Sequence, residues 1–300
     1  MNTPISRRPR HAVLALAAAA LFGAMQAHAA SLVGLTSANQ VALIDTANVA
    51  ASTVTTITGL AVGDRFVGID LRPSNNMIYG ITLSNGIYTL NATTGAATFV
   101  IALTGTTVSG SLAYGIDFNP VADFAGTASL RFISSAGANL AVNVVTGVAG
   151  NAANTIAGGY TSVAYTNSGS SAPASTALYY IDSNTDTLAM ASTAFNTPTI
   201  TTVGSLGLDV LKAGGFDILA NGQAWAGLLT DDGSADSAIY SINLGTGAAT
   251  LAGNFTGTLT GLTAAPVPEA GTWALMAGGL LALNGLHRRR RQSGQSGQSR

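Results

Sequence analysis

The sequence predicts an all-β chain, a β-propeller of about five four-stranded blades. Three observations carry this expectation. First, a short segment repeats. Gly68-Ile69-Asp70-Leu71 returns as Gly115-Ile116-Asp117-Phe118, more weakly as Ser162-Val163-Ala164-Tyr165, then as Gly215-Phe216-Asp217-Ile218 and Gly261-Leu262-Thr263. From Ile69 the apolar position recurs at Ile116, Val163, Phe216 and Leu262, in steps of 47, 47, 53 and 46 residues. Second, each period holds short alternating or β-rich runs separated by turn residues. Third, the repeat is split across the chain. The first segment has three strand-like runs without the opener, and the last has the opener without a blade. Joined, they complete one blade. A β-sandwich or an open solenoid is the alternative, but a solenoid has no reason to divide a repeat between its ends.

The elements follow in order. Arg7, Arg8 and Arg10 precede a small apolar run, Ala12 to Ala24, and then Ala27-His28-Ala29. A positive region, an apolar region and a small-x-small site make residues 1–30 a secretory signal peptide. Residues 31–265 form the repeat domain. Its first runs are Leu32–Leu35, Val41–Asp45 and Thr53–Ile57. Met77–Leu83, Gly86–Asn91 and Ala97–Leu103 follow the first opener, divided by Ser84-Asn85 and Thr93-Thr94-Gly95. The same order appears in Leu178–Asp182, Thr187–Ala191 and Thr199–Val203, and again in Ala224–Leu229, Ala238–Asn243 and Ala249–Gly253. The one long step contains Ser168-Gly169-Ser170-Ser171-Ala172-Pro173, a loop insertion. Leu259–Ala264 ends the domain.

The units GIDLRPSNNMIYGI and YGIDFNPVADFAGTASLRFIS, with NLAVN at Asn139–Asn143 and the TGAAT turns, resemble the family called domain of unknown function 4394. The resemblance covers roughly Leu32 to Thr263. It implies an exported, propeller-like domain and carries no activity.

The tail is organised differently. Val267-Pro268-Glu269-Ala270 leads into an uncharged run ending at Leu286, followed by His287 and Arg288, Arg289, Arg290 and Arg291. A 17-residue uncharged stretch, Ala270–Leu286, is at the short end of what spans a bilayer as a helix. Trp273 sits where aromatic belts lie, and the arginines would stay cytoplasmic. This order of parts resembles the PEP-CTERM sorting signal, with Ala270 in place of the second proline. The resemblance implies an exosortase-type sorting machinery acting on residues 266–291. Residues 292–300 repeat Gln-Ser-Gly and should be disordered.

Composition narrows the chemistry. The domain has 12 acidic and 4 basic groups, a net charge of −8. Such a surface repels nucleic acid and anionic lipid. Within residues 31–265 there is no histidine, no cysteine and no glutamate. That removes Ser-His-Asp and Cys-His nucleophilic schemes, histidine zinc sites and paired-glutamate glycosidases.

The candidate sites are therefore carboxylates. Asp70, Asp117 and Asp217 share one repeat position, with Ala164 and Thr263 at the other two. Repetition favours a structural role, accepting backbone N–H groups in the turn after each inner strand; a partial carboxylate ring for a cation such as Ca²⁺ is the alternative. Asp231, Asp232 and Asp236 crowd one acidic loop and are the chosen metal candidates, for Ca²⁺. Asp182-Ser183-Asn184-Thr185-Asp186 alternates oxygen ligands but reads as a hairpin turn, as does Gly245-Thr246-Gly247. Each arginine of the domain is expected to meet a carboxylate.

The expected function is a non-enzymatic, exported cell-surface or extracellular-matrix protein, binding exopolysaccharide or envelope proteins as in a biofilm. No cofactor is expected beyond possible Ca²⁺. The C-terminal helix would anchor the protein in the membrane, at least transiently. The alternatives are a Ca²⁺-dependent, lactonase-like propeller hydrolase and a structural matrix protein without a specific ligand.

Overall fold

The computed structural model describes residues 30–267. Residues 1–29 of the expected signal peptide, Pro268, Glu269, Arg288, Arg289, Arg290, Arg291 and the expected membrane helix lie outside the described residues. Among those described, no helix is long and apolar enough to cross a membrane.

Twenty strands form five four-stranded antiparallel sheets. Blade 1 is ordered β20-β1-β2-β3, from Leu259–Ala264, Ser31–Thr36, Gln40–Asp45 and Thr53–Thr56. Blade 2 is β4-β5-β6-β7 (Phe66–Arg72, Met77–Thr82, Gly86–Leu90, Ala97–Ala102). Blade 3 is β8-β9-β10-β11 (Tyr114–Phe118, Ser129–Ser134, Asn139–Asn143, Ala149–Gly150). Blade 4 is β12-β13-β14-β15 (Tyr160–Tyr165, Leu178–Asp182, Thr187–Ala191, Ile200–Ser205). Blade 5 is β16-β17-β18-β19 (Val210–Ile218, Ala224–Thr230, Ala238–Ile242, Ala249–Asn254).

The expected split repeat is the closure. Strand β20 pairs with β1 through Leu32↔Ala264, Val33↔Thr263 and Gly34↔Leu262. Thus the last described strand becomes the inner strand of the first blade.

The core is divided rather than central. Five apolar clusters occupy the five seams between blades. Phe66 and Tyr88 of blade 2 meet Val33 and Leu35 of blade 1, while Phe118 and Phe132 of blade 3 meet Ile81 and Ile87 of blade 2. Alternating residues of one sheet face one seam, the intervening residues face the other, and both faces are buried. This is why the strands read as near-continuous apolar runs rather than strict alternations.

The outer part of three seams is stitched by one turn. Asn91, Asn143 and Asn243 each accept two N–H groups from the turn residues that follow. Each turn then reaches a glycine at positive φ: Gly95, Gly147 and Gly247. A Cβ there would stand 2.3, 2.1 and 2.4 Å from a carbonyl oxygen of the preceding blade, at Thr56, Ala102 and Gly204. Only glycine permits both the left-handed backbone and that approach. Thr58 and Thr104 donate their N–H groups to Gly95 and Gly147.

One feature departs from the all-strand expectation. The chain between β8 and β9 carries a helical insertion, α1 (Pro120–Ala122), continuing through Asp123–Thr127. Asn119 caps it by accepting the N–H of Ala122, with proline at the first helical position.

Candidate functional site

The inner strand of every blade is an edge strand, so half of its N–H groups face the axis without a sheet partner. The repeat supplies partners. Asp70 accepts the N–H of Phe118 at 2.7 Å, and Asp117 accepts that of Tyr165 at 2.9 Å. Asp217 accepts that of Ala264, and Thr263 accepts that of Leu71 at 2.8 Å. In each case the donor is one residue beyond the matching position of the following blade. The carboxylates are backbone acceptors, but their donors belong to the next blade and not to the turn after their own strand. Ala164, the fifth member, has no side-chain oxygen to offer Ile218.

This latching brings charge together. Asp70, Asp117 and Asp217 are buried, and their nearest carboxylate oxygens lie within 4.8 Å of one another. Among the described residues they are the one group of three that could share a metal ion. Thr263 joins them by donating its hydroxyl to Asp70 at 2.8 Å. Burial raises all three carboxyls. The Asp217 charge raises Asp70 further, and those of Asp70 and Asp217 do the same to Asp117. Asp217 is pushed up to about 6. The cluster therefore favours held protons over three adjacent negative charges.

The fit to calcium is poor. Ca²⁺ takes roughly six to eight oxygens. Here three carboxylates and one hydroxyl converge, and both Asp70 oxygens are already engaged. The neighbouring axial cavity, lined by Gly68, Gly115, Ser162, Gly215 and Gly261, has a volume of about 10 Å³. That is room for about one water and none for a hydration shell. Ser162 stands where four blades have glycine, and its buried Oγ has no partner.

The other predicted residues fall elsewhere. Asp231, Asp232 and Asp236 are exposed in the loop between β17 and β18. Asp232 accepts the N–H of Ser234, and Asp236 accepts that of Gly257. They are not the carboxylates that the fold gathers. Asp182 to Asp186 join β13 to β14, where Asp182 accepts the Asn184 N–H and Asp186 that of Val210. Val267 lies at the end of the described chain, pinned by two hydrogen bonds to Asn76 of blade 2.

The expectation about arginines holds for one and fails for another. Arg72 meets Asp123 at 2.7 Å and lies over Tyr79 and Phe118. Asp123 also accepts the N–H of Ser74, so the helical insertion is fastened to blade 2. Arg131 is buried among neutral oxygens: Tyr165 Oη, Asn139 Oδ1, the Leu140 carbonyl and Asn196 Oδ1. Five guanidinium N–H groups can be satisfied without a carboxylate when enough oxygens are fixed around them. The seam-crossing role of Arg131 was missed by sequence reasoning, as was the cap at Asn119. The Asn-Pro pair could have signalled the latter.

No curated protein matches the chain. A structural genomics protein of unknown function from Bacteroides thetaiotaomicron VPI-5482, solved at 1.70 Å, is similar at 15% identity and a TM-score of 0.46. The likeness covers 75% of this chain and 57% of that one, so this chain spans little more than half of its length. The family model for domain of unknown function DUF4394 matches residues 40–263, which include nearly all of the five blades and their axial carboxylates. The chain belongs to this family.

Proposed function

We propose that this protein is a non-enzymatic binding propeller, exported and held at the cell surface or in the extracellular matrix, where it binds polysaccharide or an envelope partner. One observation carries the reading. The residues best suited to chemistry, Asp70, Asp117 and Asp217, are sealed at the axis and occupied in joining blades. What remains available to a partner is the exposed loops and faces of the ring. Export by residues 1–30 and handling of residues 266–291 by an exosortase-type machinery are part of the same proposal. Saturable binding of the ring, residues 31–265, to the producing strain's own exopolysaccharide is the expected result. Absence of binding to that polymer and to any envelope component would refute it.

A second reading, Ca²⁺-dependent hydrolysis at the axis, has the convergence of the three carboxylates in its favour. It requires calcium to stabilise the fold by mass action. A melting temperature unchanged by chelator would remove it.

A further inference from the structure

The domain has four cations, and the fold disposes of two of them: Arg72 meets Asp123, and Arg131 is enclosed by neutral oxygens. Arg65 and Lys212 remain. Arg65 immediately precedes β4, and Lys212 lies near the start of β16. The latches join equivalent positions of successive inner strands, so these strands run the same way and their starts share one face. Blades 2 and 5 are not neighbours, since blade 1 separates them on one side and blades 3 and 4 on the other. Even so, the Arg65 charge reaches Lys212. Burial, and then the Arg65 charge, pull the ammonium below its usual value. The Arg65 guanidinium lies against Gly110, where an added Cβ would be 3.6 Å from it.

Gly110 and Lys212 line the same cavity, about 380 Å³, at this mouth of the ring. Ser111, Ser135, Thr161, Ser183 and Asn184 add hydroxyl and amide groups to its wall. Seven carboxylates stand near this face: Asp64, Asp182, Asp186, Asp209 and, in the loop between β17 and β18, Asp231, Asp232 and Asp236. Asp64 is tied to the N–H groups of Arg65 and Ser84, Asp182 to that of Asn184, and Asp186 to that of Val210. Among the described residues, no carboxylate oxygen comes within 4.0 Å of the Arg65 or Lys212 side-chain nitrogens; Arg72–Asp123 is the ion pair that does form. Two half-buried like charges held together without a counterion cost free energy, which a bound anion would recover.

We propose that this mouth, between Lys212 and Arg65, is a binding site for the carboxylate of an acidic sugar. The volume suits one or two sugar units. The cations receive the carboxylate, and the hydroxyl and amide wall faces the sugar's own hydroxyls. This deepens the reading of the protein as a polysaccharide binder and rests on it.

The test uses the full chain in detergent, titrated calorimetrically with trigalacturonate, with neutral maltotriose and with inorganic phosphate. Saturable binding of trigalacturonate alone, falling with ionic strength, is expected. Lys212→Gln and Arg65→Gln should each weaken it about tenfold, as expected for loss of one charge-assisted contact. Lys212→Arg should retain it. Equal binding of maltotriose, binding of phosphate but not of the uronate, or indifference to both glutamine variants would overturn the site. A circular dichroism melt shows whether each variant is folded. Binding of the native exopolysaccharide that is unaltered in the two variants would leave the general reading standing and refute the mouth. Variant-sensitive uronate binding without binding of the native polymer would do the reverse.

Discussion

The seam between blades 3 and 4 and the seam between blades 4 and 5 are built on the same plan and finished differently. In the first, Asp117 latches the N–H of Tyr165, and Arg131 reaches across to Tyr165 Oη and Asn196. Gly115 lets the inner strands close up, since a Cβ there would be 2.8 Å from Ser162 Cα. In the second, Ala164 replaces the carboxylate, Ser162 replaces the glycine, and β16 bulges between Ala213 and Phe216. Apolar packing and the outer glycine turn remain, with Gly247 against Gly204. The difference teaches that hydrophobic burial closes the ring, whereas polar latches are additions that one seam can lack. It also teaches why one should be lacking: a fourth axial carboxylate would add repulsion to a cluster already driven toward protonation.

Three substitutions bear on this contrast, the largest effect first. Arg131→Met should cost about 3 kcal/mol, because it leaves buried acceptors on Asn139, Leu140 and Asn196 without a charged donor. Denaturant unfolding measures this, and a loss below about 1 kcal/mol would mean that the seam is held by packing alone.

Asp117→Ala should cost about 1–2 kcal/mol by orphaning the Tyr165 N–H, and the cost should depend on pH. The three carboxyls are raised in the folded state. They bind protons more tightly there than in the unfolded chain, so their contribution is fully present below the unfolded value near 4 and declines as pH rises. For Asp217 the decline runs from about 4 through about 6, and Asp70 and Asp117 contribute in the same direction. The parent should therefore melt lower at pH 7.5 than at pH 4.5. The penalty of Asp117→Ala should shrink over the same range, because the variant also removes one repelling charge. A pH-independent penalty would show that the carboxylates do not interact.

The smallest effect is a gain. Ala164→Ser gives the weak seam an oxygen near the N–H of Ile218 and should add about 0.5–1 kcal/mol without new charge. If it destabilises, that seam is too tightly packed to take even one atom.

The five-fold plan was readable in the chain because each blade solves the same problem with the same residue. Strand ends expected from the pattern fall within one or two residues of those found; Thr187–Ala191 agrees at both ends, and Thr199–Val203 is shifted to Ile200–Ser205. The partners of the carboxylates were not readable. An N–H group facing the axis has no letter of its own, and each donor lies about 48 residues from its acceptor along the chain. Charge counting likewise led to a carboxylate for Arg131, whereas three neutral side chains 8, 34 and 65 residues away surround it. The acidic loop at Asp231 to Asp236 stood out because its charges are adjacent in sequence. Adjacency on an exposed loop says little about convergence, and the carboxylates that do converge are widely separated in the chain.

The closure of blade 1 also sets which way the ring looks. Strands β1 and β20 are antiparallel, and Ala265 donates its N–H to Ser31, so the incoming and outgoing chain pass side by side. They do so where the inner strands end, on the side opposite the mouth held by Arg65 and Lys212. A tether attached to the outgoing chain would hold the ring from behind, like a dish on its stem, with the mouth that holds Arg65 and Lys212 turned away from the point of attachment.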